Sequence, residues 1–265
     1  KRNKIMVQLK TIILIIIVLS VNYCTNSKFA ENAAIQKDIT AAVKDYNSEN
    51  WETRLNALKR ISRYSNTVYA KNSFLLIIIA TEDSHSEIRI EALKILKVMK
   101  APAAEERIRS IALSDTNSNV KYFAFSALEG YGNIKNEKAF LTGLNDKDWL
   151  VKESALKGLM KINDPDIQKK HLPVIIKAIN DNNISIRITA LSNLIIKDPL
   201  IYAELSKIIN NTESGSTILE AALRCIKGYK LDEITRKRII ELLTHKEKQV
   251  RLLSLQILKY KEENN

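Results

Sequence analysis

Glycine and proline are scarce in this chain, six and four in 265 residues. So few breakers, with no apolar–polar alternation closed by hairpin turns, exclude the sandwich and barrel classes. Cysteine is scarcer still, and Cys24 and Cys225 stand in such unlike surroundings that no structural disulfide is expected. The three histidines, His85, His171 and His245, lie far apart, none four residues from another. The chain has no His-Glu pair, no Cys-x-x-Cys, no Gly-rich phosphate loop and no nucleophile elbow. It therefore offers no catalytic, cofactor-binding or metal-ligating set, and it reads as a non-enzyme without a cofactor. The apolar run Thr11–Val21 has eleven residues, too few for a membrane-spanning helix, which needs about 20.

What is present is a repeated phrase: an acidic turn, an apolar residue, a basic residue, two residues, a small residue, Leu, two residues and another aliphatic. The basic slot falls at Arg54, Arg89, Lys121, Lys152, Arg187, Leu219 and Arg251, with spacings of 35, 32, 31, 35, 32 and 32. Three residues on come Ala57, Ala92, Ala124, Ala155, Ala190, Ala222 and Ser254; next stand Leu58, Leu93, Phe125, Leu156, Leu191, Leu223 and Leu255. Apolar positions at this spacing share one helix face, and a small residue in each copy lets a neighbouring helix come close. A period of this length signals stacked supersecondary units. Between the phrases lie further helical patterns, near 67–80, 103–113, 137–144, 168–179, 199–209 and 232–243, after a first near 33–46. The run Phe74–Ala80 is apolar almost all round, so its helix is expected to be the most buried.

The stretch Asp146–Leu159 and its copies resemble the HEAT repeat and its bacterial HEAT-like relatives, over about residues 30–260. The resemblance implies an all-α, right-handed α-solenoid of about seven two-helix repeats. It also implies that the acid six before the basic slot (Asp83, Asp115, Asp146, Asp181, Glu213) forms a ladder with the basic column. Ser48 and His245 depart from the acids and Leu219 from the bases, so the ladder should break around repeat six. The HEAT-like metal hydroxylases depend on paired His-Glu motifs, which this chain lacks.

The N-terminus reads as an export signal over residues 1–23. Basic residues Lys1 to Lys10 precede the apolar run, whose length suits a secretory signal. Cys24, closing that run, resembles a bacterial lipobox cysteine, the lipidation site, although Tyr23 stands where a small residue is usual. Cleavage near Ala30 and an uncleaved anchor are the alternatives. Residues 24–30 read as a polar tether, 31–260 as the solenoid and 261–265 as a polar tail. The expected location is exported and membrane-anchored, facing the periplasm or the cell surface.

The slot five residues after the basic one holds Lys59, Lys94, Ser126, Lys157, Ser192, Arg224 and Gln256, with no acid. Beside it, one residue after the basic slot, run Leu55, Ile90, Tyr122, Ile188 and Leu252, interrupted by Glu153 and Glu220. The resemblance places such helices on a concave face. The expected partner is then a protein or peptide of acidic character, held by Lys59, Lys94, Lys157, Arg224 and Tyr122. The bland alternative is that lysine is merely a good solvated helix former. Trp51 and Trp149, three before the basic slot, are expected to pack on the preceding turn. The formal charge of +12 invites a nucleic-acid reading, similar in outline to HEAT-like DNA glycosylases with a basic groove. Loss of Lys1, Arg2, Lys4 and Lys10 with the signal would bring +12 down by four to +8, and an exported protein rarely meets nucleic acid, so nucleic acid is the weaker reading. A third resemblance is to HEAT-like phycobilin lyases, accessory factors that hold a substrate protein. The sequence does not fix the oligomeric state.

Overall fold

Each repeated phrase becomes one helix, and each intervening pattern becomes the helix that packs on it. A computed structural model describes residues 26–262, apart from 66, 68 and 163. Among these residues every regular element is helical.

The chain divides into two compact units, residues 1–131 and 132–265. The described part of the first is α1 (Asn26–Asp45), α2 (Trp51–Ser62), α3 (Ala70–Ala80), α4 (Ser86–Met99), α5 (Glu105–Ser114) and α6 (Ser118–Glu129). The phrase helices are α2, α4 and α6. Each packs on the helix before it, and α4 packs against both α2 and α6.

The second unit holds α7 (Glu137–Gly143), α8 (Trp149–Met160), α9 (Pro165–Lys170), α10 (Leu172–Ile179), α11 (Ile184–Ser192), α12 (Pro199–Asn210), α13 (Ser216–Ile226), α14 (Glu233–Glu241) and α15 (Lys248–Glu262). Its phrase helices α8, α11, α13 and α15 pack in succession. Stacked helix pairs in both units give the all-α repeat fold that the sequence indicates.

Local chemistry sets the helix starts. Asn50, Asn117, Asp148 and Asn183 each stand just before a phrase helix, and each accepts a hydrogen bond from the amide two residues on. Such a side chain satisfies an orphaned N–H and defines the first turn. Gly228, past the end of α13, sits at φ 83°, a left-handed conformation that glycine adopts without a Cβ clash.

The small slot is buried in all seven copies, Ser254 included. The following aliphatic or Phe is at most 1% exposed in six copies, whereas Leu255 in the last copy is 41% exposed. A residue at this slot is covered by a neighbouring helix pair, and none follows Leu255 among the described residues.

Four expectations need correction. Residues 26–30, read as tether, lie in α1, and residues 261 and 262, read as tail, lie in α15. The pattern near 168–179 is two helices, because Pro173 has no N–H and its ring opposes the carbonyl four residues back. The apolar helix α3 is not the most buried: Leu75 is 40% exposed, and Ile78 and Ile79 are half-buried. Trp51 also reaches the following repeat. Its ring stacks on His85, the residue before α4, at 4.0 Å and 6°. The run 11–21 and Cys24 lie outside the described residues.

Candidate functional site

The ladder is the firmest geometry in the first unit. Arg54, on α2, donates from Nε and Nη2 to both oxygens of Asp83, each at 2.8 Å. Its Nη1 donates to the carbonyls of Ser48 and Glu49, so the guanidinium ties its own turn to the next repeat's turn. Asp83 also accepts from the Tyr46 hydroxyl at 2.8 Å and the His85 amide at 2.9 Å. Burial alone would push the Asp83 carboxyl up, but Arg54, the His85 amide and Tyr46 together hold it below its usual range. Burial and the neighbouring Asp83 push the Tyr46 phenol well up.

The next rung repeats the design, with Arg89 Nε and Nη2 on Asp115 at 2.9 and 3.0 Å and Nη1 on the carbonyls of Asp83 and Ser84. In the second unit the pattern loosens. Lys152 and Asp181 face the same small crevice without an ion pair between them. Arg187 turns to the Ile179 carbonyl at 3.0 Å, and Leu219 is buried at 2% exposure. Within that unit the loosening therefore begins before repeat six. A lysine ammonium cannot grip a carboxylate with the two-pronged geometry of arginine.

The proposed partner-binding side chains divide between the units. In the first, Lys59 on α2 and Lys94 on α4 are exposed. Lys94 Nζ lies 3.4 Å from Glu91 and 5.1 Å from the centre of the Phe123 ring. Tyr122 is half-buried and meets Phe123 edge-on at 5.1 Å. In the second unit, Arg224 on α13 is exposed and Lys157 on α8 is half-buried.

Two residues beside this column escaped the sequence reading. Lys97 donates to Ser126 at 2.8 Å, and Phe123 forms the aromatic platform under Lys94. Both stand two or three residues from the column, where only the packing of α4 against α6 brings them alongside it.

Cys225 is inert. Its thiol donates to the Leu191 carbonyl at 3.1 Å, and burial pushes it up to about 11, the reverse of what a reactive thiol needs. His171 meets Glu137 at 2.6 Å, and Lys170 reaches the same oxygen at 2.7 Å. This joins the start of α7 to the α9–α10 break. Among the described residues no group of three His, Cys, Asp or Glu side chains is placed to hold a metal ion, and no helix is long and apolar enough to cross a membrane.

No family model matches the chain, and no curated protein does. Among solved structures, an engineered protein is similar over 94% of this chain and 77% of its own, at 15% identity and a TM-score of 0.54. Human deoxyhypusine hydroxylase matches over 88% of this chain and 99% of its own, at 13% identity and a TM-score of 0.43. The CpcE–CpcF complex of phycocyanin lyase from Nostoc sp. matches over 91% and 90%, at 15% identity and a TM-score of 0.40. Likeness at these identities concerns the fold alone.

Proposed function

We propose that this protein is a non-enzymatic binding or scaffolding module of a bacterial envelope, anchored by lipid on Cys24. In this reading its phrase helices hold a protein partner of acidic character. The observation that carries the reading is the acid-free column on the phrase helices. In the first unit Lys59 stands exposed on α2 without an ion pair among the described residues, and Lys94 stands over Phe123 beside Tyr122. In the second unit Arg224 stands exposed on α13, likewise without an ion pair among the described residues.

Exposed cations beside an aromatic and apolar strip suit an acidic peptide or helix. The cations steer and orient the approach, and the strip supplies buried area. Stacked repeats are suited to this work because one extended face is built from many helices.

Photo-cross-linking tests the reading. A benzoylphenylalanine placed at Ser126 or Ser192 should trap an acidic envelope protein. One placed at Ile234, 72% exposed on α14, should not. The same cultures, fed a palmitate analogue, should label the wild type and not Cys24→Ser. Products from Ile234 alone would move the binding face elsewhere, and label that survives Cys24→Ser would remove the anchor.

A further inference from the structure

We propose that the crevice where α1 and α3 end, in the first unit, is a second binding site, for a small apolar ligand carrying a cationic group. This site lies apart from the phrase-helix column and does not depend on it. The cavity measures about 600 Å³, within the range of roughly 300–1,000 Å³ typical of ligand pockets. Leu75, Ile78, Ile79 and Tyr46 form its apolar wall, Arg54 and Asp83 its floor, and Glu49 and Glu82 its rim.

The charge at the site is negative in effect. Arg54 is its cation, and that guanidinium is consumed by both Asp83 oxygens and by the carbonyls of Ser48 and Glu49. The Glu82 carboxylate is 63% exposed and pairs with Arg107 at 2.9 Å. Glu49 is exposed and has no ion pair among the described residues. Both α1 and α3 end here, at Asp45 and Ala80, and helix C-termini carry partial negative charge from their last carbonyls. An anionic ligand would be repelled. An ammonium at the rim would neutralise Glu49 while its apolar body covered Leu75.

The corresponding crevice in the second unit differs in size and charge. It holds only about 240 Å³, and Lys152, Lys177 and Asp181 share its lining with Leu141, Leu144, Val174 and Ile186. Four residues before the acid, Lys177 stands where the first crevice has Ile79. Eight before the acid, Pro173 and, in the third repeat, Arg107 stand where the first crevice has Leu75. The first crevice is the larger of the two, and it lacks the two lysines that line the second.

Two fluorescent probes with one fluorophore and opposite ends decide the matter: dansylcadaverine, an amine, and 6-(dansylamino)hexanoic acid. Titrated into the full chain, the amine should saturate a single site and bind at least ten-fold tighter than the acid. Glu49→Lys, on an exposed turn, should weaken the amine at least ten-fold. Leu75→Ser should weaken both probes, and Lys59→Glu with Lys94→Glu should change neither. Equal affinity for the two probes, no saturable binding, or indifference to Glu49→Lys would each overturn the proposal.

Discussion

Replacing Asp83 with Ala should cost about 3–5 kcal/mol, the usual loss when one partner of a buried ion pair is removed. The side chains of Arg54 and Asp83 are only 14% and 6% exposed. Removal would leave the Arg54 guanidinium without its two-pronged acceptor, and the Tyr46 hydroxyl and His85 amide without theirs. Glu213→Ala, at the equivalent acid of a later repeat, should change stability by no more than about 0.5 kcal/mol, as surface substitutions do; Glu213 is exposed.

The same rung predicts an acid limb. Asp83 is held below its unfolded value of 3.8, so below that pH the unfolded chain binds more protons than the folded one. The stabilisation is complete above the unfolded value and is lost as the pH falls through the lower, folded value. Urea unfolding from pH 7 to pH 2 should show this loss in wild type and a shallower one in Asp83→Asn. A parallel pH dependence in the two proteins would contradict the rung's role.

Gly158→Val should be nearly as severe. A Cβ at Gly158 would lie 2.1 Å from one Phe140 ring carbon and 2.5 Å from another. Phe140 is fully buried, so the ring cannot simply turn out into solvent. Overpacking of this kind costs about 1–3 kcal/mol, occasionally more, and Phe140→Ala alone should cost about 3–5 kcal/mol. The double variant is the informative one. With the ring gone, valine at 158 should cost much less than it does alone, a coupling that thermal unfolding of the four proteins measures directly. Additive losses would mean that the glycine is needed for something other than the ring.

The small residue in the phrase made the fold legible from sequence. A position that is Ala six times and Ser once, followed each time by Leu or Phe, is what close helix packing requires, and all seven are buried. The bidentate pairs Arg54–Asp83 and Arg89–Asp115 follow the acid and base spacing that the resemblance implied.

What the sequence hid depends on neighbours that no local pattern reveals. Phe74–Ala80 looks like a core helix because composition says how apolar a surface is, not which helix covers it. Leu75 points into a crevice where α1 and α3 end. The stacking of Trp51 on His85 joins residues 34 apart, neither of which marks the other. Lys97 and Phe123 join the candidate face only because α4 and α6 pack side by side.

Charge reversal tests most directly whether the cations of the phrase helices hold the partner. The full chain and a variant with Lys59, Lys94 and Arg224 all changed to Glu would be compared for binding the envelope protein trapped by cross-linking. We predict at least a ten-fold loss of affinity, with a melting temperature within a few degrees of wild type, since Lys59, Lys94 and Arg224 are exposed and surface substitutions cost little. Undiminished binding by a folded variant would contradict the account.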